Sequence, residues 1–149
     1  MKYFENRFLG KVIIITGAAR GIGAATARRA AKEGAKVVLV DKRAKEGEKV
    51  LKEIRDAGGG GIFLPFDISI ENAAKMIEET VKTFGKLDIS INNAGVMGNP
   101  SPVHEIGKEA MDFTFANNFY SVLFCAKHEI LQFLKQGNGG VIVNNASIA

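Results

Sequence analysis

Five short apolar runs alternate with four helix-compatible stretches along this chain, and that alternation leaves few folds open. The runs are "KVIIIT" (11–16), "KVVLVD" (36–41), "IFLPFD" (62–67), "LDISIN" (87–92) and "GVIVNNAS" (140–147). They show little alternation of polar and apolar residues, the pattern of strands covered on both faces. Between them lie "GIGAATARRAAKEG" (21–34), "AKEGEKVLKEIRDAG" (44–58), "IENAAKMIEETVKTFG" (70–85) and a long stretch over 109–135. The last carries Met111, Phe115, Phe119, Leu123, Ile130 and Phe133 at helical spacing, a stripe expected to be core or interface. "AGGGGIF" and "QGNGG" read as helix-ending loops, not as linkers between domains. Strand, helix, strand in repetition predicts a parallel sheet with right-handed crossovers. The expected fold class is therefore α/β, a doubly wound parallel sheet, with 1–149 forming one unit that ends after the fifth strand.

Charge and cysteine content narrow the function classes. Twenty basic against sixteen acidic residues give a formal charge of +4. The densest bases, Arg28, Arg29, Lys32 and Lys42, Arg43, Lys45, are mixed with Glu33, Glu46 and Glu48, as on solvated helix faces. No aromatic-and-basic motif accompanies them, so a nucleic-acid partner is not expected. No apolar run reaches the roughly 20 residues needed to cross a bilayer. The N-terminus has no apolar leader region, and Cys125 is the only cysteine, which together predict a reducing compartment, the cytoplasm. Cys125 is expected in the core. His104 and His128 read as surface or packing residues, and no metal-ligand spacing is present.

"TGAARGIG" (16–23) stands between the first strand and the first helix. That is where a parallel α/β sheet meets the phosphates of a ligand, because helix N-terminal amides and the helix dipole face the anion. Gly17 would allow a tight exit from the strand. Gly21 would let a diphosphate approach the backbone, with Arg20 and Ile22 beside it. Gly23 would let the helix pack on the sheet. The spacing Gly-x-x-x-Gly-x-Gly is one residue longer in its first gap than the usual dinucleotide fingerprint. Asp41 ends the second strand, where a carboxylate can hold ribose hydroxyls and repel a 2′-phosphate, favouring NAD over NADP. Two alternatives stand beside this. Lys42, Arg43 and Arg20 could hold that phosphate, and Asp41 could instead cap the helix that follows.

With "TGAARGIG", "VD" (40–41), "FDIS" (66–69), "NNAG" (92–95) and "GGVIVNNAS" (139–147), the chain resembles the short-chain dehydrogenase/reductase family. The resemblance covers nearly the whole sequence. It implies a Rossmann-like fold and NAD(P)-dependent hydride transfer to or from a small alcohol or ketone substrate, usually in a homo-oligomer. It also implies that Asp67 meets the adenine amino group with Ile68 beside the ring. Asn93, Ala94 and Gly95 would pass the cofactor ribose. Asn118 would support a proton relay, and Ser147 would hydrogen-bond the substrate oxygen. Ser121 and Ala146 depart from the family pattern, where glycine and serine are common.

The family's proton donor is a tyrosine in a Tyr-x-x-x-Lys pair. The two tyrosines here, Tyr3 and Tyr120, are followed four residues later by Arg7 and Phe124. The pair would fall beyond Ala149, so the sequence is expected to be the N-terminal part of a dehydrogenase. The alternative is a catalytically inactive dinucleotide-binding fragment. Either way the fifth strand would form an exposed edge, and the chain would tend to self-associate.

Overall fold

Val12–Thr16, the first strand (β1), is buried along its whole length because side chains of alternate residues enter two different layers. Ile13 and Ile15 pack with the first two helices, whereas Val12 and Ile14 pack with the third and the last. A computed structural model of the chain describes residues 4–68 and 70–146. β1 pairs with β2 (Lys36–Val40) on one side and with β4 (Ile89–Asn92) on the other. β3 (Gly60–Leu64) and β5 (Val141–Asn144) complete a five-stranded, all-parallel sheet in the order β3-β2-β1-β4-β5. The fold is thus the doubly wound, Rossmann-like α/β sheet. The strand order reverses between β1 and β4, which opens a crevice at their carboxyl ends.

Helices α1 (Gly21–Lys32) and α2 (Ala44–Asp56) cover one face. α1 turns Ala24, Ala27, Ala30 and Ala31 inward, and side chains that small let the helix lie close to the strands. α3 (Ile70–Phe84) and α5 (Ser121–Gln136) cover the other face. α4 (Lys108–Phe115) runs into α5 through a π-helical turn, Ala116–Tyr120, so the stretch expected as one long helix is continuous.

The sheet departs from the sequence reading at β3. Gly58, at φ +84°, ends α2, but Gly60 and Gly61 belong to the strand, in register with Lys36 and Val37. A Cβ on Gly61 would lie 2.3 Å from the Val37 carbonyl oxygen, so the bare backbone permits a close strand approach. The strand stops at Leu64 because Pro65 has no N–H to continue the ladder. The apolar stripe of the long helix, expected as core or interface, divides in two. Phe133 is buried, while Met111, Phe115, Phe119, Leu123 and Ile130 are exposed. α5 instead buries Ser121, Cys125, Glu129 and Phe133, four residues apart each time. β5 is an edge, with Val141 and Val143 about half exposed.

Candidate functional site

Thr16, the last residue of β1, organises the crevice. Its hydroxyl oxygen accepts hydrogen bonds from the backbone N–H groups of Asn93 and Ala94, both at 3.0 Å. Its carbonyl accepts from Asn93 Nδ2 at 3.1 Å. The exit of β4 is therefore fastened to the exit of β1. Gly17 follows at φ +66°, and a Cβ there would reach within 3.0 Å of Ala94 Cα. Thr16 had no role in the sequence reading. A hydroxyl residue at the last strand position before a glycine loop was the signal available.

α1 begins at Gly21 with an open N-terminus. Its N-cap residue, Arg20, is extended, no side chain caps the helix, and no acidic residue stands in the first turn. First-turn amides are thus left to solvent or to a ligand. Gly21 has φ +54°, and a Cβ added there would meet nothing within 4 Å. Gly23 is the opposite case. Its Cβ would lie 2.2 Å from the Gly17 carbonyl oxygen and 2.7 Å from Asn93 Nδ2. One glycine faces open space; the other is wedged against the loop.

Asp41 lies just beyond β2 and is 5% exposed. Its Oδ2 accepts from the Ala19 N–H at 3.1 Å and its Oδ1 from the Arg43 N–H at 3.0 Å. The Arg43 guanidinium stands 3.5 Å from Oδ1. The carboxylate thus fastens the β1–α1 loop to β2 and also turns the chain toward α2, whose own N-cap, Arg43, has no side-chain cap. A carboxylate offers about four acceptor sites, so capacity remains on its cavity side. Lys42 Nζ lies 3.5 Å from Asp67 Oδ2. Asp67 is exposed, Ile68 is half-buried, and the Asp67 carbonyl accepts from Asn72 Nδ2 at 2.7 Å.

Asn118 lies on the π-helical turn, a distortion that is frequent at functional sites. Its Oδ1 accepts from the Val96 N–H at 2.8 Å, and its Nδ2 donates to the Val96 carbonyl at 2.9 Å. It therefore holds the segment leaving β4 by both the N–H and the carbonyl of one residue. Asn145, beyond β5, donates from Nδ2 to Asn93 Oδ1 at 2.9 Å. Ser147 lies outside the described residues.

Two adjoining cavities occupy the crevice, about 210 and 770 Å³ in volume. Gly17, Arg20, Asp41, Arg43, Ala94 and Gly95 line both. Asp67 and Ile68 line the smaller; Gly21, Ile22, Asn93 and Asn118 line the larger. The candidate residues within the described part come from five separate segments and, apart from Gly23, which is packed behind the loop, line one crevice. Open amides, a bare glycine facing space, a buried carboxylate and two arginines fit an elongated ligand with a central anionic group and hydroxyls at one end.

Cys125 lies away from this crevice in the α3–α5 layer, and burial, with the Glu129 carboxyl nearby, pushes its thiol up to about 12. Among the described residues no group of three His, Cys, Asp or Glu side chains converges to hold a metal ion. No helix in that part is long and apolar enough to cross a membrane.

A family profile for short chain dehydrogenases matches residues 11–149, and the chain belongs to that family. Among its relatives, a 3beta-hydroxysteroid dehydrogenase of Mediterraneibacter gnavus is 39% identical over 148 residues, 99% of this chain and 53% of the relative. A short chain dehydrogenase from Mycobacterium smegmatis superposes with a TM-score of 0.92 at 35% identity, covering 99% of this chain and 63% of that one. NAD+-bound xylitol dehydrogenase superposes at 0.91 with 34% identity, covering 96% and 55%. The chain thus spans a little over half the length of these relatives.

Proposed function

We propose that this chain binds a nicotinamide dinucleotide, NAD in preference to NADP, across the exits of β1, β2 and β4. It would be the cofactor-binding part of an oxidoreductase acting on a small alcohol or carbonyl compound. The observation that carries the reading is the uncapped start of α1, with open space before Gly21 and the Asp41 carboxylate across the same crevice. The amides of residues 21–23, with Arg20, would hold the diphosphate, and Ile22 would cover its flank. Asp41 would hold the adenosine ribose hydroxyls. Asp67 and Ile68 would take the adenine, and Asn93, Ala94 and Gly95 would border the second ribose. Asn118 would hold the wall formed by Val96, and Ser147 would bind the substrate oxygen.

When bound, the nicotinamide supplies the hydride acceptor or donor. The protein's part is to orient it and exclude water. Preference for NAD follows from the pairing of the nearby cations. Arg43 faces Asp41 and Lys42 faces Asp67, each at 3.5 Å, so neither is an uncommitted partner for a 2′-phosphate. The likeness to an NAD+-bound dehydrogenase supports the same cofactor. The relatives' names, a hydroxysteroid and a xylitol dehydrogenase, support a hydroxyl compound as substrate.

Fluorescence titration of the chain with NADH tests the reading: saturable binding is expected, and an absence of binding would overturn it. Asp41→Ala should weaken NADH binding about tenfold and raise the relative affinity for NADPH, since it removes a carboxylate that bonds one ribose and repels the other's phosphate. A parent chain that already binds NADPH better would refute the NAD assignment.

A further inference from the structure

Glu129 is a buried acid that the proposed chemistry leaves without a role. It lies on α5 with 0% exposure. Both of its bonds go to β4: Ser90 Oγ donates to Oε1 at 2.5 Å, and Asn92 Nδ2 donates to Oε2 at 3.2 Å. Asn92 Nδ2 also donates to Asn144 Oδ1 on β5 at 3.0 Å. Having given Nδ2 to two acceptors, Asn92 leaves its own Oδ1 buried and without a partner. The amide is held where Glu129 and Asn144 require it, at the expense of its remaining group.

Among the described residues, the surroundings carry no compensating charge. Ser90, Asn92 and Asn144 face the carboxyl from β4 and β5. The buried residues that α3 brings to this layer are Ala73, Met76, Ile77 and Thr80, all uncharged. Cys125, one turn earlier on α5, is the titratable neighbour. Isolating a carboxylate from water without a counter-ion is costly, so the neutral acid is favoured there. Burial pushes the Glu129 pKa upward against the two hydrogen bonds that pull it down.

The next residue of each strand points to the opposite face, as strand alternation requires. Asn145 bonds Asn93, and Asn93 bonds Thr16, on the side of α1. Two polar tiers thus clamp the carboxyl ends of β4 and β5, one from each face, a single residue apart. The tier facing α1 borders the crevice. The tier facing α5 hangs from Glu129.

We propose that Glu129 is a positioning residue for the crevice: by bridging Ser90 and Asn92 from α5 it fixes the exit of β4, and with it the placement of residues 93–95 against the β1–α1 loop. The consequence for ligand affinity rests on the dinucleotide reading above; the placement does not. Glutamine can reproduce the neutral acid, its amide donating to Ser90 Oγ and its carbonyl accepting from Asn92 Nδ2. Leucine matches the burial and removes both bonds.

The test is amide hydrogen exchange of the full 149-residue chain, with NADH titration beside it. Glu129→Leu should speed exchange at Asn93, Ala94 and Gly95 by about tenfold, as the loss of one or two buried hydrogen bonds implies. Val37 and Val38 in β2 should keep their protection. NADH affinity should fall in parallel, and Glu129→Gln should restore both. The acid form is present below the ordinary carboxylate range and is lost as pH rises through the raised pKa. Parent affinity should therefore decline with rising pH relative to Glu129→Gln. Unchanged exchange at residues 93–95 in the leucine variant, or an equal rise in β2, overturns the proposal. If that variant does not fold, Ser90→Ala decides it: exchange at 93–95 must rise by about threefold or more, and no change refutes it. If the parent binds no NADH, the cofactor reading falls while exchange still decides Glu129.

Discussion

Alanine at Gly23 and alanine at Gly21 are the same chemical change two residues apart, yet the structure predicts opposite outcomes. At Gly23 the new methyl would lie 2.2 Å from the Gly17 carbonyl oxygen and 2.7 Å from Asn93 Nδ2. Restoring ordinary contact means moving α1 or the loop by about 1 Å, and overpacking of that kind costs about 1–3 kcal/mol. Displacing the Asn93 amide from Thr16 adds about 1 kcal/mol. The gain in helix propensity is at most about 1 kcal/mol and is smaller in a first turn. A net loss of about 2–3 kcal/mol should lower the urea midpoint by about 1–2 M at ordinary m-values. At Gly21 the methyl meets nothing, and the cost is the left-handed φ of +54°. That is about 1–2 kcal/mol, offset by about 0.4–1 kcal/mol from a less flexible unfolded chain. Its midpoint should shift by less than about 1 M. NADH affinity, in contrast, should fall by about tenfold or more, because the methyl occupies the approach to the helix amides. Urea melts and NADH titrations of both variants measure all four quantities. Equal destabilisation by the two changes, or an intact NADH affinity in Gly21→Ala, would refute the division of roles.

Two further outcomes are expected. Asp88 is 9% exposed in its side chain and sits at the amino end of the sheet, accepting from the Val12 N–H at 2.9 Å beside Lys86 at 2.9 Å and Lys11 at 3.6 Å. Burial pushes its carboxyl up, but those bonds and charges outweigh it and hold the pKa below the ordinary aspartate value. Its stabilisation is therefore present above the unfolded-state pKa and lost as pH falls through the folded one, so Asp88→Asn should flatten the acid limb of stability against pH. Acid melts of equal steepness in parent and variant would contradict this. Finally, exposed Phe115, Phe119 and Leu123 on the long helix and half-exposed Val141 and Val143 on the β5 edge should make the chain self-associate. Light scattering should show mass rising with concentration, and a constant monomer mass would rule it out.

Much of the crevice was legible because its signals are local. Bare backbone at Gly17, Gly21 and Gly23 follows directly after a β-branched run, and the chain can leave a buried strand and enter a helix there with its amides open. The alternation of apolar runs with amphipathic stretches likewise determines a parallel, doubly wound sheet, since neither element can bury its apolar surface alone. Which side of a helix faces inward is a different matter. The periodicity of the long helix offers its apolar stripe to a core or an interface alike; the tertiary structure buries Phe133 with Cys125, leaves Phe115 and Phe119 exposed, and turns Glu129 to the sheet, where β4 presents Ser90 and Asn92. Asp41 looked like either a ribose ligand or a cap, and only the fold shows it bonded to two loops at once. Thr16 and Asn93 are 77 positions apart, Ser90 and Glu129 are 39, and no pattern within either segment encodes the meeting. Local sequence determined the elements and the open helix start, since those depend on neighbouring residues. Register across the sheet decided which polar side chains share an enclosed space, since a hydrogen bond between distant segments exists only once both backbones are placed.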